Sequence, residues 1–220
     1  MMKDTIELLI DYPSNIAQKL LDDEIDIGLV PVAVLPAMTE YHIVSDYCIG
    51  CIGEVTSVCL FSDVPLHEIE TILLDYQSRT SVALLKILLQ KHWTIAPRLI
   101  AAEKGFEKNI VGTTAGLVIG DRAFVQRLTS TCHYDLGLAW QEMTGLPFVF
   151  AAWVSNKKMT NAFMDAFNIT TGYGLQELDK VVALNPDNNF NLMDYYKKNI
   201  SYLFDKDKKQ ALEKFLQLSG

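Results

Sequence analysis

The sequence predicts an α/β fold of two lobes around a cleft, followed by a helical tail. Three observations carry that reading. Strand, turn and helix recur in that order at 25–35, 71–89 and 117–128, and such alternation builds a mostly parallel sheet covered by helices. Asp26-Ile27-Gly28-Leu29-Val30-Pro31 and Leu117-Val118-Ile119-Gly120-Asp121-Arg122 share one design. The chain has 220 residues, 50% of them apolar and 21% charged, which suffices for one large domain or two small lobes with a sizeable core. Ligands of such sheets lie beyond the carboxyl ends of the strands. Those ends, Val30, Asp75 and Asp121, are expected to face the same cleft.

Taken in order, Ile6 to Ile10 is a strand candidate, stopped by Pro13 and Ser14. Ser14 can cap a helix with Ile16, Ala17, Leu20 and Leu21 on one face. Ile25 to Val30 is a strand, and Pro31 suits the first position of a helical turn. Gly28 permits close approach by a ligand or a neighbouring strand. His42 to Ile52 is loosely patterned and includes Cys48-Ile49-Gly50-Cys51. That spacing can hold zinc or do redox chemistry, but Cys59 and Cys132 are isolated and no paired His follows, so two small residues in a strand is the preferred reading. Ser57 to Ser62 is a strong strand, punctuated by Val64-Pro65-Leu66. Thr71 to Leu74 is another, and a further strand begins around Pro97 to Ala102. Gly112 to Gly116 is a turn of small residues. Leu117 to Ile119 is a buried strand closed by Gly120 and Asp121, and Ala123 to Leu128 is helical. Leu136 to Thr144 is an amphipathic helix ended by Gly145, and Phe148 to Val154 is a long apolar strand.

Beyond Asn156 helical spacing dominates: Ala162, Phe163, Ala166 and Phe167, then Leu192, Tyr196, Ile200 and Leu203, then Ala211, Leu212 and Phe215. These aromatics read as core and not as a base-stacking platform. The strands near Ser57–Ser62 and Phe148–Val154 are the expected lobe crossings. One lobe is then 1–57 plus 154–220 and the other 58–153, and two crossings make a hinge.

The stretch after Thr71–Leu74 holds the best candidate site. Ser78 can cap a helix whose residues from Val82 to Leu89 are apolar except for Lys86, so the helix is expected to be heavily buried and its start held rigidly. A rigid helix start offers unpaired N–H groups and a partial positive charge, which suit a carboxylate or phosphate. Ser78, Thr80 and Ser81 add hydroxyls and Arg79 adds a planar fork of donors. The amides and hydroxyls of Thr80 and Ser81 are the expected anion clamp, with Arg79 nearby or bracing the loop. The same residues also fit a capped core helix with a solvated arginine.

Other chemistry is sparse. The net charge of −8 argues against nucleic acid, which needs a basic stripe. No apolar run reaches the roughly eighteen residues of a membrane span. The N-terminus has no signal-like apolar segment, and four cysteines make no disulfide framework, so cytoplasm is the default location. His42, His67, His92 and His133 share no ligand or triad spacing. There is no nucleophile elbow, P-loop or dinucleotide fingerprint. Asp121 fits an acid or base and equally a helix cap. Residue-level reading therefore ends at a two-lobed α/β protein that binds a small anion.

Six stretches carry a family likeness. They are Asp26 to Ala33, Ser57-Val58, Ser78-Arg79-Thr80-Ser81, Val118-Ile119-Gly120-Asp121, Tyr134-Asp135-Leu136-Gly137, and Thr144 to Ala151. In this order they resemble chorismate dehydratase of the futalosine route to menaquinone, across most of the chain to about Val154 and more weakly in the tail. The resemblance implies a type 2 periplasmic-binding-protein fold and removal of water from chorismate to give 3-[(1-carboxyvinyl)oxy]benzoate, without metal or cofactor. It implies that the substrate's own enolpyruvyl carboxylate takes the proton, with Ser57 orienting it. Chorismate's two carboxylates fit the Ser78–Ser81 helix start. Family members usually begin with a further strand and an Asn-bearing loop that lines the cleft. This chain begins after it, and Asn15 sits in a helix-cap context. The catalytic Asn thus has no counterpart, as in a shortened product of a misplaced start codon or an inactive relative. Two other expectations stay open: a solute receptor or sensor on the same fold, and a related futalosine-pathway enzyme with a larger nucleoside-derived substrate.

Overall fold

In the computed structural model, which describes residues 2, 4–186 and 190–220, two sheets organise the chain. The elements run α1 (Pro13–Leu21), β1 (Ile27–Pro31), β2 (His42–Cys51), β3 (Val58–Ser62), β4 (Thr71–Leu74), α2 (Arg79–Lys91), β5 (Arg98–Ala101), β6 (Thr114–Ile119), α3 (Asp121–Arg127), β7 (Cys132–Asp135), α4 (Leu136–Thr144), β8 (Phe148–Ser155), α5 (Asn161–Gln176), α6 (Leu178–Leu184), α7 (Leu192–Asp194), β9 (Ser201–Leu203) and α8 (Lys206–Ser219). The first sheet has the order β1-β8-β2-β9 and the second β5-β4-β6-β3-β7.

The expectation of a mostly parallel sheet needs correcting. In the second sheet β4 runs parallel to β5 and β6, whereas β3 is antiparallel to β6 and β7. Every pairing in the first sheet is antiparallel. Two of these pairings come from β8, which returns from the second sheet and inserts between β1 and β2, and the third from β9 on the other edge of β2.

Three local expectations also change. Ile6–Ile10 is not a strand: among the described residues no neighbouring strand offers it a ladder, and Ile10 is 88% exposed. Ser14 does not cap α1, because Pro13 occupies its first turn and Tyr12 takes the cap position without a side-chain bond. The helical spacing through Leu203 breaks at Asn199: a π-helical turn covers Tyr195–Asn199, and β9 then pairs with β2.

The helix after β4 behaves as its composition requires. Ser78 is its N-cap and accepts the Ser81 amide, and Leu84, Leu85, Ile87, Leu88 and Leu89 are buried. This helix packs on the 3-10 segment Val32–Ala37 and on β8 and α8, all outside its own sheet. One core therefore spans both sheets, with Trp140, Phe148 and Phe215 as its aromatic centre at centroid distances of 5.2–6.3 Å. Edge-to-face packing of this kind adds to burial.

Lys208 is 0% exposed, and nothing in its sequence context announces it. Its Nζ donates to Ser201 Oγ at 2.8 Å and lies 3.6 Å from Asp205 Oδ2. Its stem lies under Gly50, where an added Cβ would sit 2.5 Å from the Phe148 carbonyl oxygen and 3.1 Å from Lys208 Cε. Only glycine fits there.

Candidate functional site

The site is built on the crossing from β2 to β3. Asp135 ends β7 and caps α4, accepting the Leu138 amide at 3.0 Å. The same buried carboxylate turns back to the crossing and accepts Val55 N at 3.1 Å and Thr56 N at 2.7 Å. Thr56 has φ of 62°. A β-branched residue there is strained, and such strain persists only where the surroundings over-determine it. Here the Asp135 carboxylate supplies the fixing bond.

Ser57 follows directly and is 3% exposed. Its N–H donates to the Val55 carbonyl at 2.7 Å and its own carbonyl accepts Gly120 N–H at 2.8 Å. With both backbone groups fixed, the hydroxyl has one partner among the described residues, Tyr195 Oη at 2.8 Å. Gly120 has φ 65° and ψ −150°, a region essentially reserved for glycine.

Strand order β4-β6-β3 sets Asp75, Gly120 and Ser57 side by side on one rim of the second sheet. Two strand spacings, about 10 Å, separate the outer two. Asp75 is buried. It accepts amides of Gln77 at 2.8 Å and Ile119 at 3.2 Å, and Arg122 Nη2 at 2.7 Å. Burial pushes its carboxyl upward, while these donors pull it back. Arg122 also donates to Glu107 at 2.7 Å and Gln77 at 2.9 Å, and lies over Tyr76 at 5.1 Å. Sequence reading missed this arginine. Its only signal was a position just past a strand end, beside Asp121.

The residues of the α2 start are placed as follows. Ser78 Oγ donates to Ser81 Oγ at 2.8 Å and accepts Ser81 N–H at 3.1 Å. Thr80, 1% exposed, accepts the Ala33 amide at 3.2 Å, joining a loop of the first sheet to a helix of the second. Arg79 is exposed and has no hydrogen bond or ion pair among the described residues. The structure thus joins Ser78 with Ser81, and Thr80 with Ala33, and leaves Arg79 on the surface. Asp121 is exposed, the first residue of α3, and no cap bond forms there. Its charge, added to the larger effect of burial, raises the phenols of Tyr195 and Tyr196. Asn15 donates to Asp11 at 2.8 Å, within the α1 region.

Two cavities matter. One, about 460 Å³, adjoins this rim and is lined by Tyr76, Asp121, Arg122, Gln126 and Phe190 among others. The other, about 490 Å³, lies between β2, α5 and α8 and contains none of the candidate residues. Among the described residues no group of three or more His, Cys, Asp or Glu is placed to hold a metal, and no helix is long and apolar enough to cross a membrane.

Cys48 and Cys51 are buried free thiols in β2. Burial pushes Cys48 up to about 12 and also raises Cys51 and Cys59. At pH 8 a thiol titrating there is roughly one part in ten thousand thiolate. A disulfide-exchange reagent should therefore modify one thiol quickly, the half-buried Cys132, and the other three only on unfolding. Rapid modification of two or more thiols in the folded chain would contradict this placement.

Comparison with known proteins completes the description. A family model described as menaquinone biosynthesis matches residues 1–220. A chorismate dehydratase of Thermus thermophilus is 28% identical, over 94% of this chain and 84% of that protein. Protein AF1704 of Archaeoglobus fulgidus superposes with TM-score 0.63 at 14% identity, covering 96% of this chain and 84% of the other. An ABC transporter structure from Parabacteroides distasonis gives 0.60 at 17% identity, covering 96% and 79%. At such identities the two structures speak to fold alone. The α/β class with two sheets is the one expected.

Proposed function

Since the chain belongs to the menaquinone biosynthesis family, we propose that it acts on chorismate as a dehydratase, within the reaction class of its Thermus thermophilus relative. The observation that carries the proposal is the rim. Ser57 presents a fixed hydroxyl at one end, and the N-terminus of α2 begins just past Asp75 at the other. The two positions suit a small ring compound with two carboxylates. The lobes, taken as 1–57 plus 154–220 and 58–153, close over it, and the bond from Ala33 to Thr80 is the latch between them.

In this reading the ring carboxylate lies toward the α2 start. The amides of Arg79 and Thr80 have no partner among the described residues, and Arg79 adds its charge. Ser57 holds the enolpyruvyl carboxylate over the ring carbon that bears the ether. That carboxylate takes the proton, the C–H bonding pair becomes a ring double bond, and the neighbouring hydroxyl leaves to form water. The ring becomes aromatic. The protein's part is mainly near-attack geometry, and the substrate supplies the base. Asp121, exposed at the cavity mouth, serves as a substrate-facing polar group near the departing hydroxyl.

Binding is tested by thermal unfolding. Chorismate at a hundredfold excess over its dissociation constant stabilises by about 2.7 kcal/mol, which raises Tm by roughly 5–11 °C for a chain of this size. Unchanged melting in millimolar chorismate would remove the substrate assignment.

A further inference from the structure

We infer that Tyr195 is a positioning residue of this site, a half-buried tyrosine whose hydroxyl fixes the direction in which Ser57 presents its proton. The inference rests on the reading of Ser57 as a carboxylate contact. Ser57 Oγ and Tyr195 Oη are 2.8 Å apart, although they are separated by 138 positions in sequence. The tail is delivered to this spot by contacts on both sides. Phe190 stacks on Phe124 of α3 at 3.7 Å, and Tyr195 meets the same ring edge-on at 5.2 Å. Asn199 Nδ2 donates to the Glu54 carbonyl of the β2–β3 crossing at 3.2 Å, after which β9 joins the first sheet. The π-helical turn over Tyr195–Asn199 lies between these anchors. Such turns are uncommon and cluster at functional sites.

The chemistry gives the pair a direction. A bound carboxylate only accepts, so Ser57 must donate to it, and the serine oxygen then accepts the Tyr195 O–H. Hydrogen bonds in such a chain polarise one another. Tyr195 suits the outer position because it remains a neutral donor: burial raises its phenol, outweighing the opposing pull of Ser57. The charged group facing the pair is Asp121, which adds to that rise. Without the phenol, the Ser57 hydroxyl can rotate and donate elsewhere.

The test is a double-mutant cycle read by calorimetry, with phenoxyacetate as an aryl-ether carboxylate probe and with chorismate. Tyr195→Phe keeps the ring packing and should weaken phenoxyacetate binding roughly threefold to tenfold, the scale of one neutral hydrogen bond. In the Ser57→Ala background the same change should cost less than about twofold, because a residue acting through Ser57 has nothing left to act on. An equal loss in both backgrounds, or no loss in either, overturns the inference, since a purely structural tyrosine is blind to Ser57. Melting curves of all four chains confirm that the comparison is between folded proteins. If phenoxyacetate follows the cycle while chorismate is bound but not converted, the dehydratase reading fails and the positioning role stands. If chorismate is converted and the cycle is additive, the reverse holds. If the parent chain binds neither carboxylate, both are overturned.

Discussion

Asp135→Ala should destabilise the fold by roughly 3–4 kcal/mol, about two charge-assisted hydrogen bonds, with a fall in Tm of roughly 6–16 °C. One carboxylate caps α4 through Leu138 and also holds Val55 and Thr56, the two residues before Ser57. Its removal leaves buried amides without acceptors and releases a threonine held at φ 62°. The cap alone accounts for about 1 kcal/mol; the remainder comes from the crossing. Asp135→Asn keeps one acceptor oxygen and should lose less. Equilibrium denaturation of the three chains measures this. An alanine variant within 1 kcal/mol of the parent would show that the crossing holds its shape without the carboxylate.

Ser57→Ala should lower the rate of chorismate dehydration by roughly a hundredfold, the scale of losing near-attack geometry, with a much smaller change in KM. The asymmetry follows from the role. In the proposed reading substrate binding is shared with the α2 start, whereas the direction of the enolpyruvyl carboxylate depends on the Ser57 hydroxyl, whose backbone is fixed on both sides. A contact that matters most in the transition state shows in kcat. Steady-state kinetics on the two chains distinguishes the possibilities: equal kcat makes Ser57 structural, and a KM effect alone makes it a passive binding group.

Much of the second sheet was legible because its signals are local. Thr71–Leu74, the Ser78 cap and the run from Val82 to Leu89 each name their own conformation, and the structure shows the Ser78-to-Ser81 cap and the buried helix. The end of α4 at Gly145, with φ 72°, was equally plain. What stayed hidden depends on partners distant in sequence. Ile6–Ile10 has strand composition, yet a strand needs a ladder. Ser201–Leu203 is too short to break a helical pattern on its own evidence and exists because β2 offers it an edge. The antiparallel first sheet follows from where β8 returns, which no local pattern records.

The site divides in the same way. Thr80 is named by its place at a helix start and Ser57 by the family resemblance, but their partners, the Ala33 amide and Tyr195, lie 47 and 138 positions away. Asp75 is legible as a strand end, but its partner Arg122 lies 47 positions away and leaves no local signal of the pairing. Asp135 appeared only as part of a motif; its hold on the crossing needed coordinates.

The most direct measurement of the central claim is incubation of the full chain with chorismate, followed by mass analysis over time. The expected result is many turnovers per chain to a product lighter than chorismate by one water, with the absorbance of an aromatic ether. Chorismate that keeps its mass through a long incubation, while calorimetry shows it bound at the Ser57 rim, would contradict the account and leave a binding protein in place of the enzyme.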